Sequence, residues 1–239
     1  MRLNKYIAMC GVCSRRDADK LIEEGKVTIN GRTAEMGDRV SEGDSVKVGS
    51  KLIKPNDETI VLAYYKPVGV TCTERDAHAA VTVTEALKFK ERVTYAGRLD
   101  KDSEGLLLMT NDGDLIQKMM KGENAHEKEY VVKVNRPIYQ EMLDKMEKGV
   151  YLKELQTTTR PCKVKKLSKD TFSIVLTQGL NRQIRRMCEV FNAKVITLKR
   201  VRVVNVVLSG LKPGEYRQLS HEEIDSLKKA VDNKNSKGN

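Results

Sequence analysis

The stretch from Gly97 to Met109 constrains this chain more than any other. Gly97-Arg98-Leu99-Asp100-Lys101-Asp102-Ser103-Glu104-Gly105 runs directly into the apolar residues Leu106-Leu107-Leu108-Met109. A continuous apolar run bounded by glycine reads as a strand covered on both faces. Tyr95-Ala96 on the other side reads as a short strand, so the charged turn lies between two rigid flanks. That arrangement presents Asp100 at the rim of a sheet, where a carboxylate can serve chemistry rather than packing.

Chemistry at such a rim needs a partner, and the charge balance says of what kind. The 239 residues contain 44 Lys and Arg against 33 Asp and Glu, a net charge of +11. An excess of that size is expected of a protein that meets polyphosphate. With no Trp and 3 Phe, base stacking on aromatic rings is not the main mode of binding, and the 8 Tyr are the aromatics to follow. Cys10, Cys13, Cys72, Cys162 and Cys188 form no regular framework, which fits reduced thiols and a cytoplasmic location. Cys10-x-x-Cys13 lacks a second Cys or His pair at ligand spacing, and His78, His126 and His221 are scattered, so no metal site is expected. Phosphate-binding and dinucleotide glycine motifs are absent, so no small-molecule cofactor is expected either. The apolar run from Tyr6 to Val12 is too short for a secretion signal, and no later stretch approaches a membrane span.

Residues 1–56 read as a small module of two helices followed by strands. Leu3, Tyr6 and Ile7 share one helical face, and Ser14 with Asp17 makes an acidic variant of a capping box before Ala18, Leu21 and Ile22. Val27 to Ile29 is a strand, Asn30-Gly31 a hairpin turn, and Val46 to Val48 a further strand. The helices leave Arg2, Lys5, Arg15, Arg16 and Lys20 outside the core, so the positive charge of the module is clustered although its net charge is only +3. Pro55-Asn56-Asp57-Glu58 reads as a linker.

Residues 57–227 mix strands and helices without a βαβ rhythm, which predicts an α+β domain with a mainly antiparallel sheet. Expected elements are strands at Ile60 to Tyr65, Glu129 to Val134, Lys163 to Leu167, Phe172 to Leu176 and Val201 to Leu208. Expected helices run through Leu115 to Met119, from Pro137, from Arg182 to Phe191, and after a Ser220/Glu223 capping box. Residues 228–239 read as a polar tail that frays. Between Gly179 and Arg202 stand seven basic residues and one acid, a phosphate-tracking density. Arg182, Arg185 and Arg186 cannot share one line of a helix, so one turns inward and needs a carboxylate.

Several motifs resemble those of a known family. Gly97-Arg98-Leu99-Asp100-x-Asp102-Ser103-x-Gly105-Leu106, with Lys66-Pro67-Val68-Gly69, is similar to the signature of RNA pseudouridine synthases, in the branch that modifies single uridines of ribosomal RNA. The order Arg2-Leu3-Asn4-Lys5-Tyr6-Ile7, Ser14-Arg15-Arg16 and Gly25-x-Val27-x-Ile29-Asn30-Gly31 resembles the S4 RNA-binding domain of α-L type. Asn124-x-His126-Glu127-Lys128-Glu129-Tyr130, Gln178-Gly179-Leu180-Asn181-Arg182 and Asn205-Val206-x-Leu208 look most like the F-type large-subunit members of that branch. Asn192-Ala193 departs from the family, where glycine commonly follows the phenylalanine; asparagine tolerates the left-handed cap.

The resemblance implies a site and a reaction. Asp100 is the nucleophile, Arg185 pairs with it, and Tyr130 packs on the uracil face. The bond from uracil N1 to ribose C1′ breaks, the base turns, and C5 joins C1′, without metal or cofactor. Attack on C1′ and a route through a glycal both stay open. Arg98 would fill the gap left by the flipped base, and Arg2, Lys5, Arg15, Arg16, Lys20, Arg182 and Arg186 would meet RNA. Large-subunit 23S rRNA is the expected substrate, ahead of 16S rRNA or a tRNA anticodon loop, and the expected state is a cytoplasmic monomer. The alternative from another class is a non-enzymatic RNA-binding protein of ribosome assembly. A nuclease would need paired carboxylates or histidines that no spacing here supplies.

Overall fold

A computed structural model describes residues 1–56, 58–73, 81–121 and 125–232 and divides the chain into two units. The smaller comprises Met1–Ile60 with Phe89–Thr94 and Asn111–Gly113. Its helices are α1 (Leu3–Met9) and α2 (Arg15–Glu23). Its antiparallel strands β1 (Val27–Ile29), β2 (Arg32–Thr33), β3 (Val46–Val48) and β4 (Lys51–Leu52) lie in the order β2-β1-β3-β4. Leu3, Ile7, Ala18 and Ile22 bury the helix faces against Val27, Ile29 and Val46, as the apolar spacing requires. The Ser14 hydroxyl accepts the Asp17 amide at 3.2 Å and caps α2. Asn30 and Gly31 both have positive φ, 51° and 83°, the twist a two-residue hairpin needs. In the linker region Asn111 accepts the Ile60 amide and donates to the Glu58 carbonyl, each at 2.9 Å. Asp57 lies outside the described residues.

The larger unit carries a nine-stranded sheet. Its strands are β5 (Val61–Lys66), β6 (Thr94–Tyr95), β7 (Glu104–Thr110), β8 (Lys128–Val134), β11 (Lys163–Lys166), β12 (Thr171–Leu176), β13 (Val195–Val203), β14 (Val206–Val207) and β15 (Tyr216–Gln218). The hairpin β9 (Tyr151–Leu152) and β10 (Thr157–Thr158) stands apart. The main order is β11-β12-β8-β13-β7-β5-β15, with β14 beside β13 and β6 beside β7. Along that order every neighbouring pair is antiparallel except β7 and β13. The helices are α3 (Val83–Leu87), α4 (Gly113–Met120), α5 (Gln140–Lys148), α6 (Gln183–Val190) and α7 (His221–Asp232). One core joins Val132, Phe172 and Ile174 to Met142, Met146, Ile184 and Met187; a second joins Val61, Leu106 and Leu108 to Leu115, Leu227 and Val231. Leu106 to Met109 are each at most 1 % exposed, the two-faced burial that an unbroken apolar run implies.

Three boundaries differ from the sequence expectation. The strand expected at Val201 to Leu208 begins at Val195 and ends at Val203, because Val204 turns at φ 54° before β14. Pro137 does not open α5. The Ile138 amide donates to the Lys169 carbonyl at 2.8 Å, and the helix starts at Gln140. The tail expected from residue 228 is helical as far as Asp232, since Val231 continues the stripe of Ile224 and Leu227 into the core. Residues 233–239, and Asn124 of the motif quoted above, lie outside the described residues.

Candidate active site

The Asp100 loop is fastened at each foot. Upstream, Gly97 at φ 89° turns the chain away from β6, and the Leu99 amide donates to Cys72 Sγ at 3.4 Å. At the tip, the Ser103 amide closes a turn on the Asp100 carbonyl at 3.1 Å, and the Gly69 amide donates to the Lys101 carbonyl at 2.8 Å. Lys66-Pro67-Val68-Gly69 thus braces the loop, which gives that motif a physical reason. Downstream, Gly105 at φ 107° lies against β13. A Cβ there would come within 2.7 Å of Arg200 N and closer still to its carbonyl oxygen, so only glycine fits.

Two carboxylates on this loop are not equivalent. Asp102 receives both terminal nitrogens of Arg182, at 3.1 and 3.2 Å, and Arg185 stands 3.4 Å away. Burial works against its anion, but the Arg182 hydrogen bonds and the charges of Arg185 and Arg182 outweigh it and hold the carboxyl below its usual range. Asp100, its side chain 40 % exposed, has Arg182 as its nearest cation among the described residues, at 3.9 Å. The expected pairing of Arg185 with Asp100 is therefore corrected. Arg185 does turn inward, at 8 % exposure, but its Nη2 donates to the Asp102 carbonyl at 2.8 Å and to Ser103 Oγ at 3.3 Å. The turn from Asp100 to Ser103 brings the carbonyl and hydroxyl of its far side to α6, and those acceptors take the guanidinium.

Asp100 and Tyr130 line one cleft of about 890 Å³, together with Arg98, Arg182 and Arg200. Tyr130 is half-buried in β8, directly opposite Ile174 on one side and Arg200 on the other. Glu127 and Glu129, just before it, both accept from Arg202, at 3.1 and 3.0 Å, which fastens the start of β8 to β13. The hydroxyl of Tyr65, on β5, donates to Glu104 at 2.9 Å. Burial and that carboxylate push its pKa up to about 12.

The expected RNA-binding residues fall into two groups. Arg98 and Arg182 are exposed at the cleft, and in the smaller unit Arg2, Arg15, Arg16 and Lys20 are exposed while Lys5 is half-buried. Arg186 is half-buried: it donates to the Asn181 carbonyl at 3.1 Å and forms an ion pair with Glu154. Two cations, one quoted in the Lys66-Pro67-Val68-Gly69 motif and one counted in the phosphate-tracking run, are buried instead. Lys66, 0 % exposed, donates to the carbonyls of Pro67 and Val70, both at 2.8 Å; Arg200, 1 % exposed, lies beneath the cleft.

Comparison with known proteins follows this geometry closely. Residues 60–190 match the RNA pseudouridylate synthase family and residues 1–46 the S4 domain family. The chain is 47 % identical to the dual-specificity RNA pseudouridine synthase RluF of Escherichia coli K12, over 99 % of this chain and 81 % of that protein. It is 40 % identical to the ribosomal large subunit pseudouridine synthase B of Bacillus subtilis, over 97 % of each. A solved pseudouridylate synthase superposes with a TM-score of 0.70 at 28 % identity, covering 95 % of this chain and 99 % of the other.

Proposed function

The chain belongs to the RNA pseudouridylate synthase family, and on that premise we propose that Asp100 is the nucleophile of a uridine-to-pseudouridine isomerisation in ribosomal RNA. The reaction balances within one nucleotide. The N1–C1′ bond breaks, a C5–C1′ bond forms, and the proton leaving C5 is matched by one gained at N1, so no oxidant or group donor is consumed. Asp100 acts at the ribose, toward C1′ or through a glycal, while Tyr130 bounds the base across the same cleft. Arg185 acts through the loop, holding the turn that carries Asp100. Arg98 is placed to occupy the gap left by the flipped base, and Arg182 to meet a phosphate.

The observation that carries this reading is the difference between the two carboxylates: Asp102 is committed to arginines, whereas Asp100 stands at the cleft with its nearest cation among the described residues at 3.9 Å. Large-subunit rRNA is the substrate we favour, in line with the name of the Bacillus relative; the dual-specificity name of RluF supports a second RNA as well. Among the described residues no helix is long and apolar enough to cross a membrane, and a cytoplasmic monomer remains our proposal. The test uses ribosomal RNA labelled with tritium at uridine C5, taken from a strain lacking this protein. Asp100→Ala should release no tritium while binding RNA within about tenfold of the wild type. Substantial release by a freshly prepared, folded Asp100→Ala protein would refute the assignment.

A further inference from the structure

Arg200 has no role in that mechanism, yet its surroundings are unusual. It sits in β13 with Tyr130 opposite on β8 and Gly105 opposite on β7, so one residue touches the strands that carry both active-site elements. The pairing of β13 with β8 is interrupted between Arg200 and Arg202, an irregularity that re-aims a side chain where it occurs beside a site. The Arg200 Nε donates to the Leu106 carbonyl at 2.7 Å and its Nη1 to the Arg98 carbonyl at 3.3 Å. Those carbonyls are the two feet of the Asp100 loop.

Arg200 is 1 % exposed, and among the described residues no carboxylate lies within 4 Å of it or of Lys66. A buried cation without a counter-ion is costly, and packing alone would favour an apolar side chain at either position. The Arg200 Nη2 is also a buried donor with no acceptor among the described residues. Lys66 donates to carbonyls in the segment that braces the loop tip; burial lowers its pKa, while Asp100 and Asp102 act the other way. The loop therefore rests on cations whose charge is not spent on any other acid.

We propose that Arg200 is a positioning residue of the isomerisation, spanning the two feet of the Asp100 loop so that the carboxylate meets the ribose in a fixed place. This rests on the reading of Asp100 as nucleophile.

The test compares full-length Arg200→Met, which keeps bulk without donors, and Arg200→Lys, which keeps charge and part of the reach. Single-turnover tritium release from the C5-labelled ribosomal RNA should fall at least tenfold in Arg200→Met with RNA affinity within threefold of the wild type. Arg200→Lys should recover a good part of that loss. A smaller fall, an affinity loss that parallels the rate loss, absence of recovery by lysine, or failure of both variants to fold would each overturn the proposal. Asp100→Ala run alongside separates the two readings: if it is active the nucleophile assignment fails, and if it is inactive while Arg200→Met is unimpaired, only the role of Arg200 fails.

Discussion

Replacing Gly105 by alanine tests how the catalytic loop is anchored. At φ 107° an alanine occupies a region that L-residues avoid, which costs roughly 1–3 kcal/mol. Its Cβ would also stand 2.7 Å from Arg200 N and 3.0 Å from Arg200 C, both backbone atoms of a central strand that cannot swing aside. Moving β13 away would strain the bond from Arg200 Nε to the Leu106 carbonyl and leave a buried acceptor short of its donor, worth about a further 1–3 kcal/mol. The total is roughly 2–6 kcal/mol. For a chain of this size the lower figure corresponds to about 4–8 °C in Tm. Gly69→Ala is the matched control, because Gly69 has φ 92° but nothing within 4 Å of an added Cβ. It carries the backbone penalty without the collision. Urea unfolding followed by circular dichroism gives both losses. Equal losses in the two variants, or a Gly105→Ala loss under about 1 kcal/mol, would refute the anchoring.

Other perturbations separate further parts of the structure. Arg182→Ala should reduce the slope of log K against log salt by about 1, whereas Arg186→Ala should leave the slope unchanged; a drop for Arg186 would mean that it reaches RNA after all. The Asp102 carboxyl is lowered in the fold, so its stabilising contribution is complete above the unfolded value near 3.9 and is lost as pH falls through the lower folded value. The stability gap between wild type and Asp102→Asn should accordingly narrow below about pH 4, and a gap independent of pH would remove its ion pairs from the stability of the fold. Ending the chain after Lys229 removes the fully buried Val231 and should cost about 2 kcal/mol; an unchanged melting curve would show that the last turn of α7 contributes nothing.

The site was legible in sequence to the extent that local chemistry fixes it. Leu106 to Met109 declared a buried strand, the glycines marked the turn, and helical geometry alone forced one of Arg182, Arg185 and Arg186 inward. The partner of Arg185 was not legible, because which acceptor meets a guanidinium depends on a turn of a few residues packed against a distant helix. The burial of Lys66 and Arg200 was hidden for a related reason: their acceptors are backbone carbonyls, and carbonyls leave no mark in a sequence. The short helix α3, capped by Thr82 and Glu85, was overlooked because five residues are too few to display a period. Boundaries such as Ile138, held extended by the Lys169 carbonyl, were set by tertiary contact rather than by the proline before it.

The parallel junction within the main sheet, β7 with β13, has a consequence for how the enzyme is made. Lys199 and Arg200 pair with Glu104 and Gly105 across 95 residues of sequence, and the intervening antiparallel strands can assemble without them. Contacts between segments so far apart in the chain close slowly, because the loop entropy is spent before the pairing repays it. During synthesis the Asp100 loop emerges long before β13, so it waits without its partner strand, without the support of Arg200, and without the neighbour that aligns Tyr130. A ribosome-bound chain halted before Val195 should therefore already hold the β5–β7 and β8–β12 pairings yet be unable to modify RNA, with competence arriving late and in one step when the central strand inserts.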